Sequence, residues 1–388
     1  MANRSQERDV SLRVMIVIQS LRGGGAERVA ADLSRHWADA GRTVMVVTQT
    51  DDHGDVYPLH PDVQRETLTL AGATGGGWRG ITANFKRVRA LRRLMVSFKP
   101  DVVLGMMTTA SVLSVLAARG LPCAVVATEH THPPSQRISG MWRRLRRWTY
   151  PRADRVVALT SGTARWLNKH VPGAHLDVIP NPVHWPLAQS EPHVTPPPRN
   201  GRRRALAVGR LHPDKGFETL VTAFKKVAAA HPEWDLIILG EGAERARLTA
   251  HIAAAGLSER VLLPGRVGNV GDWYAAADLY VLSSRFEGLS NTLLESMASG
   301  LAAAAFDCDT GPREIVREGV DGVLVRPNGD VNAMAQALDA LMADDAHREA
   351  LGARAIEVRE RFSPEHVLSR WQKVFDDARA QAAGRASL

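Results

Sequence analysis

A chain of 388 residues, 45% hydrophobic and 23% charged, exceeds what one hydrophobic core usually covers, so two soluble domains are expected. Its two cysteines, Cys123 and Cys308, exclude a disulfide framework and lack metal-ligand spacing, which makes a reducing cytoplasm the expected compartment. The formal charge of +8 is uneven: residues 1–185 hold 25 Lys+Arg against 14 Asp+Glu, the rest 24 against 27, so the first half presents a positive field suited to an anionic membrane surface or a phosphorylated substrate.

No secretory leader is expected, because the first apolar run, Val14–Ile18, is short and follows a charged start. No apolar stretch reaches the roughly 18 residues of a membrane span. The longest, Thr108–Ala127, is broken by Arg119, Gly120 and Pro122 and reads as helix, turn and strand.

From Leu12 onward the pattern is strand (RVMIVIQS), glycine loop (LRGGG), helix (AERVAADLSRHWADAG) and strand (RTVMVVTQ). PDVVLGMM, CAVVATEH and RVVALTS continue it as further strands. Such alternation is the signature of a parallel sheet wrapped by helices. After the proline-rich WPLAQSEPHVTPPPRNGRRR it restarts, with ALAVGR, DLIILGEG, RVLLPG, DLYVLSS and AAAAFD as strands and a helix over Glu218–Ala230. The expected architecture is α/β: two Rossmann-like doubly wound domains, 1–185 and 204–363, joined by a linker at 186–203. A closing helix over about 364–388 could pack back on the first domain. Ligands of such domains sit at the carboxyl ends of the strands.

The loops at those ends carry the candidate chemistry. Gly23, Gly24 and Gly25 precede the first helix and permit close backbone approach to an anion, or simply make a tight turn. Their spacing does not match GxGxxG, which weakens a dinucleotide reading. GRLHPDKGF puts Arg210 and Lys215 just after the first strand of the second half, where two cations can neutralise a diphosphate. In SSRFEGLSNTLLESMASG, Glu287 and Glu295 are eight apart, about 80° around a single helix. A strand–loop–helix break between them resolves this, with Ser290 or Asn291 as N-cap and the helix start offering N–H groups to phosphate. Two carboxylates flanking an anion site suit a nucleotide sugar, whose ribose and hexose lie on either side of a diphosphate. Asp307-Cys308-Asp309 spells a DxD, which is read as capping the helix near Thr310–Glu314 rather than holding a metal. His130 in ATEHTHPP ends a strand, where an imidazole can bond a sugar hydroxyl or phosphate; His132 is an equally plausible loop residue.

Two basic segments stand out. Asn84–Phe98 places Phe85, Val88, Leu91, Met95 and Phe98 on one helical face, with Lys86, Arg87, Arg89, Arg92 and Arg93 around the rest. Arg137–Tyr150 sets Ile138, Met141, Trp142, Leu145 and Trp148 against Arg143, Arg144, Arg146 and Arg147. The apolar faces are expected to pack on the sheet and the arginines to be solvated and drawn to an anionic membrane. No recognised nucleic-acid motif accompanies the charge, so no nucleic-acid partner is expected.

With these residues assembled, the chain resembles glycosyltransferase family 4, retaining enzymes of the two-domain GT-B fold with a central cleft. The matching pieces are GGGAERVA, VIPNPV, GRLHPDKGFETLVTAF, LGEGAERARL, SSRFEGLSNTLLESMASGL and FDCDTGPREIVREGVDGVLVRPNGD. The resemblance implies that Glu287 binds the donor sugar, Glu295 the ribose, and Arg210 with Lys215 the diphosphate. It places Gly288, Leu289, Ser290, Asn291 and Thr292 along hexose and phosphate, adds Gly240, Glu241, Arg266 and Val267 to the donor set, and matches His130 to a histidine that approaches the sugar. The pattern looks like the branch that builds bacterial cell-surface polysaccharides and polyprenyl-diphosphate-linked oligosaccharides from UDP-hexoses or UDP-N-acetylhexosamines. It implies no metal or resident cofactor, a glycan or lipid-linked acceptor, and work at the cytoplasmic face of the inner membrane. The departures from the pattern are Asp309 and the absence of a proline in GLAAAAFDC. A catalytically silent nucleotide-sugar-binding scaffold is the alternative, against which intact Glu287, Glu295, Arg210 and Lys215 count.

Overall fold

The computed structural model describes residues 12–51, 53–68, 78–136 and 138–386. Arg137, which opens the second basic segment, and the charged start before Leu12 lie outside the described residues. The chain folds as two compact units, Met1–Pro180 with Leu368–Leu388, and Asn181–Val367.

The first unit is built on seven parallel strands: β1 Arg13–Ile18, β2 Thr43–Thr48, β3 Gln64–Thr67, β4 Val102–Met106, β5 Ala124–Glu129, β6 Arg155–Ala158 and β7 Leu176–Val178. Their order is β3-β2-β1-β4-β5-β6-β7. The central strands are apolar because helices cover both faces of a parallel sheet; Val14 to Ile18 and Val102 to Leu104 are all buried. The helix Gly25–Asp39 turns Val29, Ala30, Leu33 and Trp37 inward. Trp37 meets two rings of the closing helix Pro364–Ala386, Phe375 at 5.0 Å and Trp371 at 6.3 Å between centroids. These rings, with Arg42 donating to Gln372 at 2.5 Å and Arg385 to Asp154 at 3.0 Å, hold that helix on the first unit.

The second unit has six parallel strands: β8 Arg203–Val208, β9 Trp234–Leu239, β10 Val261–Gly265, β11 Leu279–Leu282, β12 Ala303–Phe306 and β13 Gly322–Val325, in the order β10-β9-β8-β11-β12-β13. The helix Phe217–Val227 packs Leu220, Val221 and Phe224 in the core with Leu236, Ile238, Val281 and Ala304, alongside Met334 and Leu338 of the helix Val331–Ala343. In both sheets the strand order reverses beside the first strand, between β1 and β4 and between β8 and β11. The loops leaving these strands diverge, opening a crevice at the carboxyl edge.

Three strands carry no strong signal in the sequence: β3 (QRET), β7 (LDV) and β13 (GVLV). All three are edge strands, flanked on one side only and so not required to be long apolar runs. The expected linker over 186–203 belongs instead to the second unit. Ser190 N–H donates to Gly268 O at 3.0 Å, Gly268 N–H to Pro192 O at 2.7 Å, and the Trp273 indole to Val194 O at 2.9 Å. Proline-rich chain without a ladder of its own must satisfy its backbone elsewhere. Gly268 permits this contact, because a Cβ there would collide with Ser190 O.

The basic helices are observed at Trp78–Phe98 and Gly140–Thr149. Leu91, Met95 and Phe98 are buried as expected, but Phe85 is 62% exposed and Met141 and Trp148 are 41% and 43% exposed. Arg89 lies over the Phe85 ring and Arg152 over Trp148, so these aromatics form an outward face with the arginines. Nor are all the arginines solvated. Arg92 donates to Ala117 O and Arg119 O, closing the neighbouring helix, and Arg146 is buried. No helix among the described residues is long and apolar enough to cross a membrane.

Candidate functional site

The second unit gathers its candidate residues on the loops after four consecutive strands. Gly240 and Glu241 follow β9, Arg266 and Val267 follow β10, Arg210 and Lys215 follow β8, and Glu287 follows β11. Gly240 has φ +135° and lies where a Cβ would strike Gly209 O, so the β8 and β9 ends approach backbone to backbone. The Leu211 N–H donates to Glu241 O at 2.9 Å. The Glu241 side chain is exposed and pairs with Arg245 at 2.7 Å, and Arg266 donates to Glu191 O at 3.2 Å.

Lys215 is held by the neighbouring strand end. Ser283 Oγ donates to Lys215 O at 2.7 Å, and Arg285 N–H to Asp214 O at 2.8 Å. Gly216 (φ +63°) can sit against Ser283 O only because it lacks a Cβ. The result is a direct ion pair: Lys215 Nζ lies 2.6 Å from Glu287 Oε1, which also accepts from Ser284 Oγ at 2.7 Å. The two groups assigned to diphosphate and to sugar are therefore in contact with each other. Arg210 is exposed and makes no side-chain hydrogen bond or ion pair among the described residues, which leaves its guanidinium available to an anion.

Glu295 lies just over one turn inside the helix Asn291–Ala298, capped by Ser290, whose Oγ accepts from Leu293 N–H at 3.4 Å. Glu287 on the loop and buried Glu295 on the helix thus sit on separate elements around the helix start. Two tyrosines brace that start. The Tyr280 hydroxyl donates to Thr292 Oγ1 at 2.7 Å, and the Tyr274 hydroxyl lies 3.2 Å from Thr292 O and 3.3 Å from Glu295 Oε2. Burial raises the Tyr280 phenol, which keeps it a donor. Neither tyrosine was legible locally, since each looks like an ordinary core aromatic in its element.

The DxD segment differs from its expected role as a helix cap. The helix Pro312–Ile315 is capped by Gly311 without a side-chain hydrogen bond. Asp307 instead accepts from Arg313 at 2.8 Å and Arg326 at 2.5 Å, because a buried carboxylate needs charged partners. Cys308 is buried, which pushes its thiol up to about 12. Thr310 Oγ1 donates to Glu287 O at 2.7 Å, and Gly311 (φ +98°) gives the Glu287 loop room. The segment therefore supports the loop that carries Glu287.

In the first unit, Gly23–Gly25 follow β1 and His130 follows β5, with β4 between them, so these strand ends are about 10 Å apart. Gly24 caps the first helix, and the Glu27 carboxylate folds over it. The glycine loop therefore already faces a negative charge of its own. His130 is buried. Thr128 Oγ1 donates to Gly105 O at 3.1 Å, so at 3.0 Å it receives the Nε2 proton of His130. That tautomer leaves Nδ1 an acceptor, and it is buried with no partner among the described residues. His132 Nδ1 lies 3.3 Å from Thr163 Oγ1.

Burial lowers the His130 imidazolium from its usual 6.5 to about 4. Between these values the unfolded chain binds the proton and the folded chain does not, so stability is full above pH 6.5 and declines as pH falls towards 4. Urea unfolding of wild type and His130→Gln should show a difference in pH dependence worth about 2 kcal/mol between pH 7.5 and 5. Parallel curves for the two proteins would contradict the buried neutral histidine.

Just before His130 is a buried network that no motif signalled. Glu129 Oε1 accepts from Tyr150 at 2.6 Å and Thr108 at 2.7 Å, and Oε2 from Gln136 at 2.7 Å. Arg146 lies 3.5 Å from Glu129, donates to Gln136 at 3.1 Å and sits over the Trp166 ring.

Comparison with known proteins decides the family. Residues 23–184 match the family described as Glycosyltransferase Family 4 and residues 191–358 match Glycosyl transferases group 1. Phosphatidyl-myo-inositol mannosyltransferase of Mycobacterium leprae is 30% identical over 74% of this chain and 76% of that protein. The chain belongs to glycosyltransferase family 4. An exopolysaccharide phosphotransferase of Streptomyces coelicolor is 33% identical over 74% of this chain, which spans only 30% of that longer protein. A Campylobacter jejuni enzyme named GalNAc-alpha-(1->4)-GalNAc-alpha-(1->3)-diNAcBac-PP-undecaprenol alpha-1,4-N-acetyl-D-galactosaminyltransferase is 24% identical over 95% of this chain and 99% of its own length. Among solved structures, sucrose-phosphate synthase of Thermosynechococcus elongatus has a TM-score of 0.82 at 20% identity, covering 95% of this chain and 99% of that one. HepE of Anabaena, solved in complex with UDP, has a TM-score of 0.77 at 19% identity, covering 94% and 100%. These likenesses show the GT-B fold of the family, with its two Rossmann-like domains.

Proposed function

We propose that this family-4 protein transfers a hexosyl or N-acetylhexosaminyl group from a UDP-sugar to a polyprenyl-diphosphate-linked or related glycan. The observation that carries this reading is the convergence at the β8/β11 ends of Arg210, the Lys215–Glu287 pair and the helix bearing Glu295. The solved UDP complex of HepE and the undecaprenol-diphosphate substrate in the Campylobacter enzyme's name support the choice of donor and acceptor.

In this reading Glu295 binds the ribose and Glu287 a hexose hydroxyl. Arg210, Lys215 and the helix start receive the charge that develops on the departing UDP, so the reaction needs no metal ion and no resident cofactor. The bond from the anomeric carbon to the β-phosphate oxygen breaks, and a bond to the acceptor oxygen forms on the same face. The acceptor proton passes to the departing phosphate. An α-donor then gives an α-linkage. His130 Nδ1, a neutral acceptor, suits a sugar hydroxyl rather than a phosphate. Exposed Phe85, Met141 and Trp148 among arginines suit peripheral association with anionic lipid at the cytoplasmic face of the inner membrane.

Incubating the pure protein with a panel of UDP- and GDP-sugars and polyprenyl-diphosphate-linked sugars, with products read by mass spectrometry and NMR, tests this reading. A UDP-sugar should be consumed and an α-product formed. Consumption of no donor with any acceptor, together with unchanged UDP binding by Glu295→Ala, would overturn the transferase reading. An inverted anomer would overturn retention alone.

A further inference from the structure

We propose that Asn181 is a positioning residue of the donor site, turning the Asn291 carboxamide so that its N–H₂ group faces a phosphate oxygen of the bound nucleoside diphosphate. The proposal rests on the nucleotide-sugar reading and adds to it a residue 110 positions away from the helix it serves.

Asn181 lies in VIPNPV and is the first residue of the second unit. It is 3% exposed, and its Nδ2 donates to Asn291 Oδ1 at 2.8 Å. Asn291 opens the helix Asn291–Ala298. Because its carbonyl oxygen is taken by Asn181, its amide N–H groups point the other way, and among the described residues they meet no partner. Capping is done by Ser290, so the Asn291 side chain is not needed to close the helix. A directed donor at the first helical position adds to the free backbone N–H groups and the positive dipole end there, and all of them suit an anion.

The other half of the Asn181 carboxamide is buried as well. Its Oδ1 has no hydrogen-bond partner among the described residues. A buried amide oxygen left unpaired is costly, and an apolar side chain at this position would avoid that cost. What an apolar side chain could not do is hold the Asn291 oxygen. The unpaired Oδ1 is thus the by-product of placing Nδ2 where it orients Asn291.

The test is a double-mutant cycle on the full chain, with UDP affinity measured by titration calorimetry and uridine binding by ligand-observed NMR. Asn291→Ala and Asn181→Ala should each weaken UDP about tenfold, as expected for one hydrogen bond to a charged group. The double variant should be no weaker than either single one, because Asn181 acts only through Asn291. Uridine, which lacks phosphate, should bind all four proteins equally, which a merely structural defect would not allow. If Asn181→Ala does not fold, the isosteric Asn181→Asp takes its place. Its carboxylate can only accept, so Asn291 would turn its oxygen to the phosphate and UDP would weaken at least as much. Wild-type affinity in the Asn181 variants, losses that multiply in the double variant, or an equal loss for uridine would each overturn the assignment. Failure of wild type to bind UDP would instead overturn the donor reading beneath it.

Discussion

Lys215→Ala is expected to lower kcat/KM with the UDP-sugar about 10²- to 10³-fold, the usual effect of removing a preorganised charge aimed at a leaving group. The side chain is positioned before any ligand arrives. Its own carbonyl is held by Ser283 Oγ at 2.7 Å, the next residue is a glycine pressed on Ser283 O, and its ammonium lies 2.6 Å from Glu287. Truncation has two consequences. The departing diphosphate loses a cation, and the Glu287 carboxylate, left with Ser284 at 2.7 Å, turns an uncompensated negative charge on the phosphates. The second consequence can be separated from the first. Adding Glu287→Gln to Lys215→Ala should restore part of the UDP affinity seen by calorimetry without restoring turnover. Turnover within twofold of wild type in Lys215→Ala would show that the ion pair is only a surface contact.

Arg146→Ala should destabilise the protein by about 3–5 kcal/mol, because it strands the buried Glu129 carboxylate. In a domain of this size that corresponds to a fall of roughly 10 °C in Tm. The Glu129 side chain is fully buried and Arg146 nearly so. The remaining donors to Glu129 are the Tyr150 hydroxyl, the Thr108 hydroxyl and the Gln136 amide. All are neutral groups, and the Tyr150 phenol is held well above its usual range, first by burial and then by Glu129 itself. Hydrogen bonds stabilise the carboxylate but cannot supply the missing positive charge. Glu129→Gln combined with Arg146→Met should therefore recover most of the loss. A loss below about 1 kcal/mol in urea unfolding of Arg146→Ala, the range of an exposed pair, would show that water reaches Glu129. The network also holds the backbone beside His130, since Glu129 immediately precedes it and Gln136 also donates to Thr131 O at 3.1 Å.

Legibility in the sequence followed the range of the interaction involved. Central strands such as RVMIVI and WDLIIL carry unbroken apolar runs, Val14–Ile18 and Leu236–Leu239, because both faces of their sheet are covered, and they could be read directly. β3, β7 and β13 lie at sheet edges, where pairing on one side asks little of composition. Phe85 and Trp148 fit the helical period of a core face, yet they lie on the exposed side. Periodicity fixes which residues share a face and does not say how far round the helix its neighbours reach. Arg146 looked like one arginine among four, and only the fold brings Glu129 within 3.5 Å of it.

The sequence by itself determined the alternation of strand and helix, the two-unit α/β class, and the loops at strand ends that carry Arg210, Lys215, Glu287 and the helix of Glu295. These follow from side-chain polarity and local turn chemistry, which act over a few residues. Only the tertiary structure decided the contacts: that Lys215 and Glu287 pair, that Tyr274 and Tyr280 brace the helix start, that Asp307 serves Arg313 and Arg326, and that Asn181 reaches Asn291. Except for the local Asp307–Arg313 pair, these join residues brought together by the folding of separate elements, and a buried polar group takes whichever partner the packing places beside it.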